Sequence, residues 1–148
     1  MTTVKKLLDE KAESKVFTVP STATVFQALQ VMCEANTGAV LVTEDEKIVG
    51  IFTERDYARD GEVKGRVAKE TIVSDVMTRQ MVLIKPETTL EECAELMGKY
   101  HVRHLPVLDK DRVVGVVSIR RLAEAMIQQE QGTINELENY ILGTGYGE

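Results

Sequence analysis

Apolar positions along this chain fall into two successions of the same kind. Val16-Phe17-Thr18-Val19 and Met81-Val82-Leu83-Ile84 are short β-prone runs that each stop at a proline, which cannot donate a ladder hydrogen bond, so both predict strands. Thr24 and Thr89 then stand where an N-cap belongs, ahead of apolar residues at helical spacing: Val25, Ala28, Leu29 and Met32, then Leu90, Cys93, Leu96 and Met97. Ala39 to Thr43 and His104 to Leu108 follow. Each leads through an acidic turn, Glu44-Asp45-Glu46 or Asp109-Lys110-Asp111, into another β-rich run, which predicts two hairpins. Helices from about Glu54 to Arg59 and from about Ile119 to Gln129 complete two β-α-β-β-α units.

The two units are copies of one another. Lys47-Ile48-Val49-Gly50-Ile51-Phe52-Thr53 matches Arg112-Val113-Val114-Gly115-Val116-Val117-Ser118 at a constant offset of 65, with every position identical or chemically similar. The offset holds back through Val40-Leu41-Val42 against Leu105-Pro106-Val107 to Val25 against Leu90. Before that, Pro20-Ser21-Thr22 lies against Pro86-Glu87-Thr88 at 66, which predicts one extra residue in the first copy's turn. Val4, Leu7 and Leu8 suggest a short leading helix, and Ile72, Val76 and Met77 repeat that role before the second copy. Thr133 is expected to cap a last helix through Ile134, Leu137, Tyr140 and Ile141, ending at Gly143. The expected organisation is a first repeat with its leading helix over 1–59, a polar linker containing Gly61 and Gly65 over 60–71, a second repeat over 72–130, and a C-terminal helix and tail over 131–148.

Composition narrows the function classes. In 148 residues, a hydrophobic fraction of 43% with no Trp and only three Pro implies an ordinary packed core. A formal net charge of −6 argues against nucleic acid as a partner, because such binding rests on Lys and Arg neutralising phosphates. No segment has the roughly 18 uncharged apolar residues of a spanning helix, and the N-terminal stretch lacks the apolar centre of a signal peptide. A cytoplasmic protein without membrane contact is expected. Cys33 and Cys93 both fall within helical apolar patterns and are expected as buried structural thiols.

Candidate chemistry gathers at Gly50-Ile51-Phe52-Thr53-Glu54-Arg55-Asp56. Two copies of β-α-β-β-α, each closing a strand with Gly-apolar-apolar-Thr/Ser, resemble tandem CBS modules, also known as a Bateman module, over about residues 16–127. The resemblance implies an α/β fold in which two pseudo-twofold-related repeats pack sheet to sheet, flanked by N- and C-terminal helices, with two clefts open to adenosine nucleotides. It further implies that the hydroxyl of a Thr/Ser-x-x-Asp pattern lies near phosphate while the Asp accepts from both ribose hydroxyls. Thr53 and Asp56 match that pattern. The same resemblance places Ile51, Arg55, Val82 and Ile84 about the nucleotide, with His101-Val102-Arg103-His104 opposite. Arg103 and His104 match basic positions that meet phosphate in the gamma subunit of AMP-activated protein kinase, and Arg120 matches one in that subunit's variant motif. Charge-assisted bonds from such a cluster would favour charged nucleotides over adenosine.

The second copy departs from the pattern, since Ser118-Ile119-Arg120-Arg121 puts Arg121 where the ribose carboxylate should be. Arginine has five N–H donors and no acceptor. That second cleft, with Thr18, Gly38, Ala39, Ser118 and Arg121 around it, is expected to be empty, weak, or used by an anion.

The same residues also have plainer uses. Asp56 in a first helical turn suits the helix dipole as a cap, and Arg103 and Arg120 suit solvent. His101-x-x-His104 lacks a third ligand at metal spacing, so no metal is expected. The final Gly-Thr-Gly-Tyr-Gly follows a helix instead of opening one, unlike a phosphate loop. The expected function is a regulatory sensor, not an enzyme, with no catalytic cofactor. It would bind AMP, ADP, ATP or NAD in one strong cleft per chain, form a homodimer through the CBS modules and terminal helices, and signal to an effector protein. The alternatives are a structural dimer with vacant clefts, or a nucleotide-hydrolysing enzyme, for which no nucleophile paired with a base is evident.

Overall fold

A computed structural model describes residues 2–10 and 16–141. Helix α1 (Val4–Glu10) leads. The first repeat runs β1 (Thr18–Pro20), α2 (Val25–Ala35), β2 (Ala39–Glu44), β3 (Lys47–Thr53) and a short helix α3 (Glu54–Asp56) that widens into a π-helical turn over Tyr57–Glu62. The second repeat runs α4 (Leu90–Tyr100), β4 (His104–Asp109), β5 (Arg112–Ser118) and α5 (Ile119–Ile141). The fold is α/β with two copies of one unit.

Local chemistry explains why the copies match. Thr24 and Thr89 each form a capping box, with Gln27 and Glu92, that satisfies two backbone N–H groups at the helix start. Both hairpins turn on two residues, Asp45-Glu46 and Lys110-Asp111, and all four have positive φ. Such turns carry the twist that suits the flanking strands. In both hairpins the register shifts at the same place, leaving Val49 and Val114 as the extra residue.

The first strand of the second repeat differs from expectation. β1 pairs in parallel with β2 over three residues, whereas 81–84 contributes one bridge, Ile84 to Val107. Two prolines account for the loss. In the first repeat the Leu41 N–H donates to the Phe17 carbonyl at 2.9 Å, and the Ser21 N–H to the Thr43 carbonyl at 2.8 Å. The equivalent residues are Pro106 and Pro86, which have no N–H to give.

The same region corrects the expected slip in offset. Val19 to Val42 and Ile84 to Val107 are equivalent pairs, and the turns close through Ala23 N–H to the Pro20 carbonyl and Thr88 N–H to the Lys85 carbonyl, both at 3.0 Å. The offset is therefore 65 here too, and the first copy has no extra residue. Proline occupies the first position of one turn and the second of the other, where its fixed φ is favoured.

Three further differences concern the connections. The expected second leading helix is a single tight turn at Val73–Asp75, with Ile72 exposed. The stretch 60–71 holds the end of the π-helical turn and another tight turn at Ala68–Glu70. α5 runs unbroken through Gly132 and Thr133, so Thr133 caps no separate helix; one exposed glycine costs a helix only about 1 kcal/mol relative to alanine. Gly143, the glycine-rich tail and the side chains of Ile134, Leu137 and Tyr140 lie outside the described residues.

Strand alternation gives β2 and β3 two buried faces. Val40, Val42 and Phe52 pack with Val25, Ala28 and Met32 of α2, while Ala39, Leu41 and Ile51 meet Val113 and Val116 of the second sheet. The repeats thus pack sheet to sheet, but each core is completed by the other's leading segment. Val4 and Leu7 of α1 are buried with Leu90, Cys93, Leu105 and Val117 of the second repeat, and Val73, Val76 and Met77 are buried in the first. Equivalent backbone bonds hold the two segments: Val4 N–H to the Thr88 carbonyl and Val73 N–H to the Ala23 carbonyl, both 2.8 Å.

Leu7→Ala is expected to destabilise the chain by about 2–5 kcal/mol in urea unfolding, the range for emptying a buried leucine site. Amide exchange should quicken in α4 and β4, which share its core, and not in α2 and β2. Quickening confined to the first repeat would contradict the exchanged packing.

Candidate functional site

The turn from β3 into α3 sets the geometry. Asp56 N–H donates to Thr53 Oγ1 at 3.1 Å, and Thr53 N–H donates to Asp56 Oδ2 at 3.0 Å, so the capping role of Asp56 is realised. A second contact comes from outside the motif, because the Thr78 hydroxyl donates to Asp56 Oδ1 at 2.9 Å. Thr78 arrives at the end of the exchanged segment, bridged to Ile51 on the edge of β3. Each carboxylate oxygen accepts one bond, which leaves roughly two of its four lone-pair sites available. Burial raises the pKa of Asp56, against the lowering effect of the bonds from Thr78 and Thr53.

These groups stand in a cleft of about 1210 Å³ between the repeats. Ile51, Thr53, Arg55 and Asp56 line it from the first repeat; His101, Val102, Arg103, His104 and Arg120 line it from the second. Arg55 Nη1 donates to the His101 carbonyl at 2.9 Å, tying the two walls together. His101 ends α4 in the left-handed region (φ 54). Arg120 pairs with Glu124 at 3.3 Å on the surface, and such an exposed pair is weak enough to yield to another anion. Burial, then Arg103, lowers the pKa of His104, so its imidazole is neutral near pH 7.

Val82 and Ile84 are not in this cleft. Ile84 is buried in the second repeat's core and Val82 packs against it, while Met81, on the other face of the chain, joins the seam between the sheets. A period of two settles this: residues 82 and 84 share the face toward α4. Sequence reasoning also missed Thr78, and it missed Arg59 and Asp60, which the π-helical turn carries into the cleft lining. Cys33 is exposed and lines the cleft, contrary to expectation, because it falls beside the buried stripe of Val25, Ala28 and Met32. Cys93 is buried as expected, with its thiol pushed up to about 11 by burial.

The second cleft is small, about 290 Å³. Ala39, Ser118 and Arg121 line it, and the Arg121 N–H donates to Ser118 Oγ at 3.1 Å, the counterpart of the Asp56 to Thr53 bond. Gly38 lies instead in the large cleft, where a Cβ would meet Glu54 Oε1 at 2.8 Å. Thr18 is exposed, and Phe17 takes its place in the lining. Leu7 and Leu8 of α1 also line the small cleft; a Cβ on Gly115 would come within 2.7 Å of Leu8 Cδ2.

Among the described residues, no group of three His, Cys, Asp or Glu side chains is placed to hold a metal ion. No described helix is long and apolar enough to cross a membrane.

A family model for the CBS domain matches the chain twice, over residues 4–61 and 73–128. The mitochondrial CBS domain-containing protein CBSX3 of Arabidopsis thaliana is 36% identical over 128 residues, covering 83% of this chain and 62% of that protein. The CBS domain-containing protein YhcV of Bacillus subtilis is 33% identical over 117 residues, covering 79% of this chain and 83% of the relative. A solved CBS-domain structure from Burkholderia ambifaria superposes with a TM-score of 0.83 at 37% identity, over 86% of this chain and 95% of that one.

Because folding raises the pKa of Asp56, the folded state holds its proton more tightly than the unfolded chain does. That contribution is fully present below the ordinary value of 3.8 and is lost as pH rises through the raised value. Asp56→Asn removes the half-buried charge and keeps an oxygen for the Thr53 N–H. Its Tm at pH 7 is expected to equal or exceed that of the natural chain, with the gap closing toward about pH 4. A Tm lower by several degrees at pH 7 would show that the ionised carboxylate is a net stabiliser instead.

Proposed function

The chain belongs to the CBS-domain family as a tandem pair of repeats, and from that premise we propose that its large cleft binds an adenine nucleotide whose occupancy is read by a partner protein. CBS pairs are in general regulatory, ligand-binding modules. The observation that carries the proposal is the Asp56 carboxylate, half-buried with acceptor sites to spare, in a cleft lined from the other repeat by Arg103, His104 and Arg120. A carboxylate can accept from both ribose hydroxyls at once, and arginines bind phosphate through charge-assisted bonds. Met32, Ile51 and Val102 supply apolar surface for a base. The cleft volume, about 1210 Å³, leaves room for phosphates beyond the nucleoside.

Occupancy can act as a signal because both repeats line the cleft. A ligand that bridges the walls favours whichever arrangement of the repeats lets it do so, and only such a difference in affinity shifts the population. No catalytic step and no catalytic cofactor belong to this reading. We further propose a homodimer, since Ile127 and Ile141 on α5 are 66% and 77% exposed, a cost that association would remove.

Calorimetry of the full chain with AMP, ADP, ATP and NAD is expected to find one strong site per chain for at least one of them. Asp56→Ala should weaken that site about 10- to 150-fold, the equivalent of about 1.5–3 kcal/mol, with an unchanged circular dichroism spectrum. Unchanged affinity in the variant would remove Asp56 from the site, and no heat with any of the four would leave a structural module with vacant clefts. In sedimentation the intact chain should be a dimer and a chain lacking 133–148 should dissociate; a monomeric intact chain at micromolar concentration would refute the dimer.

A further inference from the structure

We propose that the small cleft beside Arg121 is a separate ligand site, for a small monoanion with an apolar body such as a branched or aromatic carboxylate, and that helix α1 is its cover. The size of the cleft sets the first limit. Ligand pockets commonly run from about 300 to 1,000 Å³, so at about 290 Å³ this one stands at the lower edge, and at about a quarter of the large cleft it suits a small ligand better than a nucleotide.

Charge sets the second limit. Among the described residues lining the cleft, Arg121 is the one cationic side chain and none is acidic. His104 borders it as a neutral imidazole, since burial and Arg103 both lower its pKa. One full positive charge calls for one negative charge. Apolar residues including Leu7, Phe17, Leu41 and Val116 suit a hydrocarbon body, while Asn36, Thr37 and Ser118 add polar groups beside Arg121.

The present partner of Arg121 points the same way. Its side chain is 19% exposed, yet its ion pair is with Glu10 Oε2 at 3.9 Å, and Glu10 is 48% exposed. A guanidinium has five donors and matches a carboxylate best through two parallel short bonds, so this long pair leaves most of its capacity unused. The Glu10 carboxylate, at the end of α1, stands where the ligand's own carboxylate would compete for Arg121. Leu7 and Leu8 on the same helix wall the cleft, so cover and competitor belong to one element. Ser118 adds a hydroxyl whose oxygen accepts from the Arg121 N–H, leaving its proton for an incoming oxygen.

Asp56 is not part of this site, although Ile51, His104 and Ser118 line both clefts. The test is calorimetry of the full chain with benzoate, with its neutral analogue benzamide and with inorganic phosphate. Saturable benzoate binding that benzamide and phosphate do not reproduce is expected. Arg121→Gln should lower benzoate affinity at least about tenfold. Glu10→Gln, a change at an exposed position that spares the fold, should raise it about two- to fivefold by freeing Arg121. Asp56→Ala should leave it unchanged. No benzoate binding up to about 10 mM, equal binding of benzamide or phosphate, or weaker binding in Glu10→Gln would each overturn the proposal.

Discussion

Neither repeat closes its own hydrophobic core. The open flank of the second is filled by Val4 and Leu7, which precede the first repeat in the chain, and the flank of the first by Val73, Val76 and Met77. The three-stranded sheet of the first repeat and the two-stranded sheet of the second each leave a flank of their core open, and these segments supply what is missing. The exchange therefore ties the repeats together through their interiors as well as through the seam of Ala39, Leu41 and Ile51. It also fixes where each leading segment ends, and both end beside a cleft.

The two clefts differ because of what those ends bring. At the first, Thr78 delivers a hydroxyl to Asp56 and stops short of filling the space, so about 1210 Å³ stays open. At the second, α1 delivers Leu7 and Leu8 to the lining and Glu10 to Arg121, and about 290 Å³ remains. The replacement of Asp by Arg at the equivalent position is thus matched by a change in the segment that faces it: hydroxyl against carboxylate in one, carboxylate against guanidinium in the other. Asp56 itself is kept at a cost, since burial disfavours its charged form. Carboxylates whose pKa is perturbed in this way cluster at functional sites.

Much of this was legible in the residues. The capping threonines, the positions of the acidic turns and the offset of 65 are local in origin and hold in the structure. Errors arose where a local pattern was asked to report a distant partner. The aligned prolines suggested an extra residue, but the hydrogen bonds of Ala23 and Thr88 show the turns to be equivalent. The run at 81–84 has the strand propensity of its counterpart, yet pairing depends on donors at Pro86 and Pro106, one of them over twenty residues away. Val82 and Ile84, which the family resemblance placed about the nucleotide, lie on the face toward the second repeat's own core.

The sequence by itself determined the duplicated unit, the family resemblance and the hydroxyl and carboxylate at Thr53 and Asp56, because each rests on residues within one turn or one repeat of each other. Only the tertiary structure decided which core each leading segment enters, that Thr78 bonds to Asp56, that Cys33 faces the large cleft, and that α1 closes down the small one. Those outcomes depend on contacts between segments tens of residues apart. Apolar side chains such as Leu7 and Met77 specify that they will be buried, not against what, since the hydrophobic effect has no direction.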